Sequence, residues 1–409
     1  MPVQKYDIKP ELLESFDLDS FFTQFRNVSA NDFILRNKTK FLVDNYLLAE
    51  QLKLRNKLAH KIPTFYAANC LLTSKSFEQA SGEKSALYKA SLFSGKKLLD
   101  ICGGLGVDDW AFSARFDSIV SLDIDAYLNV LVNCNFKRLK LVNVSRLTAD
   151  AYLYLRNTQE KYDLIYIDAD RRVNDKKGFR LDDIEPSYGK IEGRLRELTN
   201  RVLLKLSPLI DISYCVNHLE NLKSIHVIAQ EGEVKEVLCE IDYSTPRNQK
   251  EVRIIAVDMD ENKTHHFSST YLNQHNCVLA NSYSHHYFYE ASSAIVKSGL
   301  SSAYGKSLEL LSLSIHSSYF VSEIKIDEFM GRRFELVKAF AFSKKSLNEY
   351  LKINNIIKAN VSRSQFPMSP DEIKKQFQIR DGGDEYLFFT TLSNDEKLVL
   401  HGRKGASMI

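Results

Sequence analysis

Acidic residues and a glycine-rich turn follow apolar runs in the segment 97–170 of this chain. The first run enters the turn Cys102–Gly106, whose small residues let the backbone approach a ligand closely. A carboxylate beside such a turn can accept hydrogen bonds from a ribose diol or from an exocyclic amine. The order of these features predicts a nucleotide-type binding site. The acids that end the successive runs are Asp100, Asp123, Asp150 and Asp168.

Elements of regular structure must bring these acids together. Apolar strand patterns alternate with helical patterns, which indicates right-handed crossovers and a mainly parallel sheet covered by helices on both faces. Ligands of such sheets bind outside the carboxyl ends of the strands, so the acids should share one rim. We predict strands near 98–101, 119–123, 144–148, 163–167, 202–206, 224–229 and 251–257.

Two other nucleotide-binding motifs also contain a glycine-rich turn. A nicotinamide dinucleotide site needs a third glycine, and counting from Gly104 that position holds Asp109. The segment Gly299–Ser307 resembles a phosphate-binding loop, but it has five residues between its glycines where four are required, and a helical pattern precedes it. We therefore expect neither a dinucleotide site nor a phosphate-binding loop, and we expect 299–307 to be a loop.

In this order, the motifs resemble those of class I S-adenosylmethionine (SAM) dependent methyltransferases over roughly residues 78–258. The resemblance implies an α/β fold with a Rossmann-like, mainly parallel seven-stranded sheet and SAM as the cofactor. Asp100 and the backbone of 104–106 would face the methionine part, Asp123 the ribose and Asp150 the adenine. Cys102 stands where the family usually has its first glycine. The full set of expected SAM contacts is Glu78, Gln79, Ser81, Asp100, Cys102, Gly103, Gly104, Gly106, Asp108, Asp123, Ile124, Asp150, Ala151 and Asp168.

The fourth strand should carry the catalytic residues. Family members that methylate base amines have Asp, Asn or Ser followed by Pro-Pro-aromatic at this point, whereas this chain has Asp168-Ala169-Asp170-Arg171. We expect Asp168, Asp170 and Arg171 to act on the acceptor. A long polar connection follows, and long connections often serve as lids or binding loops. The residues expected to contact substrate are Arg171, Arg172, Lys205, Lys344, Lys345 and Arg363.

The C-terminal segment is the basic part of the chain. From residue 331 onward there are 14 Lys and Arg against 9 Asp and Glu, whereas the whole chain has a net charge of +3. This tail resembles the THUMP-like domain appended to a bacterial group of class I methyltransferases, and by analogy with THUMP modules that resemblance implies RNA binding. The alternatives left open are methylation of a small molecule or a protein, and a non-catalytic, SAM-occupied RNA-binding protein.

Composition sets the remaining expectations. The 409 residues are 44% hydrophobic and 26% charged, as in ordinary globular proteins. Without a long apolar stretch or a secretion signal, the chain is expected to be cytoplasmic and without a membrane partner. Its six cysteines include no Cys-x-x-Cys pair, so neither disulfides nor a metal site is expected. The sequence does not indicate the oligomeric state. The predicted domains are an N-terminal helical region 1–85, a SAM-binding domain 86–262, a small α/β insert 263–332 and a THUMP-like α+β domain 333–409.

Overall fold

The computed structural model describes residues 10–404, apart from 37–40, 42, 169, 172–180, 182–183, 246–247, 249–250, 261–262, 273–276, 281–284 and 316, and the backbone alone of 170–171. These residues form two compact units, Met1–Leu206 with Cys239–Pro246, and Ser207–Leu238 with Arg247–Ile409. In the described part of the chain, no helix is both long and apolar enough to cross a membrane.

The described helices are α1 Pro10–Ser15, α2 Leu18–Gln24, α3 Ala30–Arg36, α4 Asn45–Lys61, α5 Pro63–Ala67, α6 Ser74–Gln79, α7 Glu83–Ser91, α8 Val107–Ser113, α9 Ala126–Arg138, α10 Ala151–Asn157, α11 Tyr188–Leu198, α12 Ile212–His218, α13 Ser293–Lys297, α14 Ser301–Ser307, α15 Lys344–Ile353 and α16 Pro370–Phe377. The described strands are β1 Gly95–Asp100, β2 Phe116–Asp123, β3 Val144–Thr148, β4 Leu164–Asp168, β5 Asp170–Arg171, β6 Ile184–Glu185, β7 Arg201–Leu206, β8 Leu222–Gln230, β9 Glu233–Asp242, β10 Arg253–Met259, β11 Thr264–Thr270, β12 Tyr287–Ala291, β13 Leu311–Ser312, β14 Tyr319–Ser322, β15 Gly331–Ala341, β16 Asn360–Ser364, β17 Glu385–Thr391 and β18 Lys397–Arg403.

The first unit is built on parallel strands in the order β3-β2-β1-β4-β7. Its central strands are buried on both faces, as their continuous apolar runs require, and Leu98 and Leu99 are fully buried. The strand order reverses beside β1, so the carboxyl ends of β1 and β4 flank a crevice of the kind that binds ligands in such sheets. The predicted rim of acids lies at this crevice.

Helices α1 to α4 of the first unit lie within residues 1–85, where a helical region was predicted. Leu13, Phe21, Phe33 and Leu47 are buried in one apolar cluster that also contains Leu131 of α9. Asp44 begins α4 by accepting hydrogen bonds from two backbone amides of its first turn, and Pro63 begins the next helix. This region therefore packs directly on α9, a helix that lies between strands of the parallel sheet.

The second unit contains β8, β10 and β11 and a separate seven-stranded sheet in the order β13-β14-β12-β15-β18-β17-β16. Helices α15 and α16 cover one face of that sheet, where Leu347, Ile373 and Phe389 are buried together. Strand β12 pairs antiparallel with β15, so the predicted insert and the predicted THUMP-like segment share one sheet. The predicted boundary at 332/333 thus falls inside β15.

The predicted mixed α/β fold with a large, mostly parallel sheet and a C-terminal sheet module is confirmed. The large sheet has nine described strands where seven were predicted, because β9 and β11 were missed. Gly82 is the N-cap of α7, and the hydroxyl of Ser81 donates to the buried side chain of Asp108. One local prediction was wrong. Residues 301–307 form α14 and not a loop, since α13 ends at Lys297, the chain turns at Gly299 with a φ angle of +73°, and Leu300 is the N-cap of a new helix.

Candidate active site

A cavity of about 420 Å³ lies at the carboxyl ends of the parallel strands in the first unit. This volume lies within the range of small-molecule and cofactor sites. Thirteen of the fourteen residues expected to contact SAM line it, and Glu78 does not, because its side chain is exposed on α6. The lining residues among those predicted are Gln79, Ser81, Asp100, Cys102, Gly103, Gly104, Gly106, Asp108, Asp123, Ile124, Asp150, Ala151 and Asp168.

The glycine-rich turn has a backbone that only small residues allow. Gly104 and Gly106 have φ angles of +49° and +80°, in the left-handed region that favours glycine. A Cβ atom on Gly106 would also lie 2.6 Å from the ring of Phe136. Gly106 is the N-cap of α8, so the turn brings the start of that helix to the cavity. The turn can therefore approach a ligand with its backbone.

The acids that end β2 and β3 are held by backbone amides. Oδ2 of Asp123 accepts a hydrogen bond from the amide of Gly104 at 3.0 Å, and Oδ1 accepts one from the amide of Asp125 at 2.9 Å. Asp150 is the N-cap of α10 and accepts from the amide of Leu153 at 2.9 Å. Both carboxylates line the cavity. Each thus has a fixed orientation and further lone pairs for a ligand.

Arg146 lies behind the glycine turn, and the sequence did not indicate it. Its side chain is fully buried, and Nη2 donates to the carbonyl of Gly104 at 2.7 Å. Nη1 donates to Ser121 at 2.7 Å and lies 3.4 Å from a carboxylate oxygen of Asp109. A Cβ atom on Gly103 would lie 1.9 Å from Nη1. Gly103 is therefore required by the guanidinium behind it.

Two buried carboxyl groups lie next to each other beneath the turn. Burial raises the pKa of Asp100 well above its usual range, and the negative charge of Asp109 raises it further. Burial likewise raises the pKa of Asp109 to about 6, although Arg146 and a hydrogen bond from Ser121 oppose the shift. Because two adjacent buried carboxylates repel each other, the pair favours a state in which one carboxyl is protonated.

A second buried network lies beside the first and connects to the end of β4. Lys89 is fully buried, donates to the hydroxyl of Ser81 at 2.6 Å and lies 2.9 Å from a carboxylate oxygen of Asp108. The other oxygen of Asp108 accepts from Ser81 and from Tyr166, each at 2.9 Å. Burial acts to raise the pKa of Asp108, but the ammonium groups of Lys89 and Lys205 hold it below its usual range.

Asp168, the predicted catalytic residue, forms an ion pair with Lys205. The Nζ of Lys205 lies 2.6 Å from Oδ2 of Asp168, and it lies 3.4 Å from the Ser81 hydroxyl. The side chain of Asp168 is 28% exposed and lines the cavity, whereas that of Lys205 is 13% exposed. Burial raises the pKa of Asp168, and the positive charge of Lys205 opposes the shift. The structure thus places a partly accessible carboxylate at the cavity with an ammonium behind it.

Comparisons with known proteins bear on the fold and the enzyme class. A THUMP domain-like family matches residues 331–404. The structure named "Crystal structure of putative methyltransferase from Porphyromonas gingivalis W83" is similar over 97% of this chain and 99% of that chain, with 26% identity and a TM-score of 0.86. This is a methyltransferase fold. The predicted methyltransferase carrying a THUMP-like domain is therefore confirmed at the level of fold and enzyme class.

Other similarities are weaker. The structure of M. capricolum TrmK in complex with S-adenosylhomocysteine matches over 40% of this chain and 69% of that chain, with 12% identity and a TM-score of 0.31. WT Trm5b from Pyrococcus abyssi matches over 40% of this chain and 49% of that chain, with 13% identity and a TM-score of 0.29. No curated protein matches the sequence significantly.

The remaining predicted residues of the methyltransferase lie at several places. Asp170 and Arg171 form β5, which pairs antiparallel with β6, and Arg172 lies outside the described residues. In the second unit, Lys344 and Lys345 are exposed in the first turn of α15. Arg363 is exposed and its Nη1 donates to the carbonyl of Phe366 at 2.7 Å. The predicted contacts of these residues with a substrate stay predictions.

Proposed function

We propose that this protein is a SAM-dependent methyltransferase that modifies RNA. The observation that carries the cofactor proposal is the cavity itself, where the glycine turn and the strand-end acids of β1, β2 and β4 converge. A ligand with a ribose diol, a purine amine and an amino-acid part would find acceptors along this rim. The likeness to the Porphyromonas gingivalis structure supports the same assignment.

The residues present fit SAM. The carboxylate of Asp123 would accept hydrogen bonds from the ribose hydroxyls, and Asp150 would accept from the adenine amine. Ile124 lines the cavity although it is 73% exposed, which gives the adenine an apolar surface to cover. The backbone of the glycine turn would face the methionine part. Bound SAM would supply an electrophilic methyl group on a sulfonium sulfur.

Methyl transfer requires chiefly that the acceptor be held in line, and such positioning can contribute about 7–11 kcal/mol to the acceleration. Asp168 lies at the cavity and can accept a hydrogen bond from an acceptor amine or hydroxyl. An acceptor amine or hydroxyl would release a proton on methylation. Asp168 would then accept the proton that the acceptor releases. The positive charge of Lys205 favours the ionised form of this carboxylate, and the ion pair orients it.

S-adenosylhomocysteine binding tests the cofactor part of the proposal. At a concentration 100 times its dissociation constant, it should stabilise the protein by about 2.7 kcal/mol and raise the melting temperature. Asp123→Ala should abolish most of this effect. Asp117→Ala is the matched control, because Asp117 is exposed near the opposite end of the same strand. A flat calorimetric titration of the wild-type protein would refute the proposal.

RNA as the substrate is supported by the THUMP-like match and by the basic excess of residues 331–409. Each lysine that neutralises a phosphate of single-stranded RNA changes the salt slope of log K by about 0.7. Lys344→Ala combined with Lys345→Ala should therefore reduce the slope by about 1.4. A double variant at Lys96 and Lys97 removes the same charge from β1 and should leave the slope unchanged. Equal slopes in all three proteins would exclude the THUMP-like domain as the RNA contact.

The acceptor itself requires a transfer assay. Incubation with methyl-labelled SAM and total cellular RNA should label one nucleoside, and the same incubation with total protein or with small metabolites should not. Label recovered in protein or in a metabolite would favour the corresponding alternative substrate. SAM and RNA binding with no label in any pool would favour a non-catalytic role.

A further inference from the structure

The guanidinium of Arg146 joins several parts of the cofactor site. In addition to the carbonyl of Gly104 and the hydroxyl of Ser121, its Nε donates to Oδ1 of Asn129 at 2.6 Å. Its Nη2 also lies 3.4 Å from Oδ2 of Asp123. These groups belong to the glycine turn, to β2 and to α9. All three nitrogens of the planar guanidinium therefore donate hydrogen bonds at the same time.

Asn129 extends the same arrangement to the backbone. Its Nδ2 donates to the carbonyl of Asp123 at 2.9 Å and to the hydroxyl of Thr148 at 2.8 Å. Arg146 thus holds the Asp123 carboxylate directly and the Asp123 main chain through Asn129. The side chains of Arg146 and Asn129 are buried, so water does not compete for these bonds.

A buried guanidinium is an expensive way to stabilise a fold. Desolvation of such a group costs several kcal/mol, and apolar side chains of similar volume often serve as well or better. An apolar residue cannot bind the polar groups that surround Arg146, which are a carbonyl, a hydroxyl, an amide oxygen and two carboxylates. The geometry favours a role in orienting these acceptors.

We propose that Arg146 is a positioning residue for the cofactor, which fixes the Asp123 carboxylate and the glycine turn in the orientation that binds the ribose of SAM. This inference rests on the proposed function and adds to it a residue outside the cavity lining. Arg146 acts through Asp123 and Gly104, and it is not placed in contact with the ligand.

The physical consequence is pre-organisation. Oδ2 of Asp123 is held by the Gly104 amide and by Arg146, and Oδ1 is held by the Asp125 amide. A carboxylate fixed in this way loses little freedom when it accepts the ribose hydroxyls, so more of the hydrogen-bond energy appears as affinity. Lysine at position 146 would keep one positive charge but would lose the planar fork. Arg146→Lys should therefore leave the Asp123 carboxylate held only by the amides of Gly104 and Asp125.

The test is a thermodynamic cycle between the protein and the ribose hydroxyls. S-adenosylhomocysteine and its 2′-deoxy and 3′-deoxy analogues are titrated by calorimetry into the wild-type protein, Arg146→Lys and Arg194→Lys. Arg194 is the matched control, because its guanidinium also binds a backbone carbonyl, that of Leu155 at 2.8 Å, but lies outside the cavity lining.

In the wild-type protein and in Arg194→Lys, at least one of the two deoxy analogues should bind about 10-fold or more weakly than S-adenosylhomocysteine, as expected when a hydrogen bond to a charged group is lost. In Arg146→Lys, the affinity for S-adenosylhomocysteine should fall about 10-fold and the hydroxyl penalty should shrink to about 3-fold or less. When the SAM concentration is varied in a transfer assay, Arg146→Lys should raise KM for SAM by a larger factor than it lowers kcat.

Some results would overturn the inference without touching the proposed function. An Arg146→Lys protein that binds S-adenosylhomocysteine with wild-type affinity, or that keeps the full hydroxyl penalty, shows that Arg146 does not position Asp123. If Arg146→Lys does not fold, Asn129→Ala provides the same test, because it frees the guanidinium at Nε and should also shrink the penalty. A wild-type protein that binds none of the three ligands refutes the proposed function instead.

Discussion

Replacement of Gly103 by alanine provides a strict test of how the glycine turn is built. The backbone of Gly103 is not in the left-handed region, so its conformation alone would accept alanine. The obstacle is steric, because the new Cβ would lie 1.9 Å from Nη1 of Arg146 and 2.2 Å from Oγ of Ser121. The guanidinium cannot move aside freely, because it is fully buried and bound on several sides.

The magnitude follows from the bonds that must break. Moving Nη1 away weakens its contacts with Ser121 and Asp109, and hydrogen bonds to charged groups contribute about 1.5–3 kcal/mol each. Disruption of a buried ion pair costs about 3–5 kcal/mol, and the lower entropy of the unfolded alanine chain returns about 0.4–1 kcal/mol. We expect Gly103→Ala to lower the free energy of unfolding by about 2–4 kcal/mol.

The assay is thermal unfolding of the full chain, with and without S-adenosylhomocysteine. For a unit of 150–250 residues, each kcal/mol shifts the melting temperature by about 2–4 °C, so a decrease of roughly 4–16 °C is expected. Gly193→Ala is the matched control, because a Cβ there meets nothing within 4 Å and the site is exposed in α11. That variant should gain about 0.5–1 kcal/mol. A Gly103→Ala protein that melts with the wild type would refute the packing argument.

Three further predictions concern charge and contact at the same site. Lys205→Met should raise the pKa of Asp168 further, because the ammonium of Lys205 opposes the upward shift from burial. The acidic limb of the pH dependence of kcat/KM should therefore move to higher pH. An unmoved limb would show that Asp168 does not titrate in catalysis. Asp109→Asn should change the pH dependence of stability. The folded pKa of Asp109 is raised to about 6, so its protonated form contributes stability that is fully present below the unfolded value of 3.8 and is lost as the pH rises from 3.8 to about 6. Relative to the wild type, the variant should therefore gain stability between about pH 4 and pH 6 in urea unfolding, and parallel curves would contradict this. Glu78→Ala should leave the affinity for S-adenosylhomocysteine within about twofold, whereas Gln79→Ala should weaken it, and calorimetry that gave the reverse order would show that the cavity is wrongly bounded.

The sequence predicted the parts of the site that lie on the chain in a regular order. Apolar runs ending in acids are visible without a structure, because parallel strands are buried on both faces and their ends meet at one rim. Strand β3 was predicted at its observed bounds, and the predictions for β1, β2, β4 and β7 lay within a few residues of the observed strands. The strands β9 and β11 were missed. Of the seven residues of β11, only Phe267 is a large apolar one, so its polar pattern gave no strand signal.

The cations behind the acids could not be predicted in the same way. In β3, Arg146 is the single buried residue among five, although the apolar residues of this strand are Val144 and Leu147. Lys89 is fully buried in α7, where a lysine is normally exposed. Each is buried because partners from distant segments surround it, and no local pattern reports such partners. The same limit applies to Ser81, whose hydrogen bonds with Lys89 and Asp108 join segments that are distant in the sequence.

These buried cations explain how so many acids can lie at one cavity. Arg146 lies behind Asp123 and Asp109, Lys89 behind Asp108, and Lys205 behind Asp168. Each cation lowers the cost of keeping its carboxylate ionised at the edge of the core, while the carboxylates that line the cavity stay directed at the ligand. A ligand with a positive sulfonium would be favoured by this surface. Methyl transfer removes that charge, so the electrostatic attraction weakens once the product has formed. The arrangement therefore favours binding of the charged donor over retention of the neutral thioether.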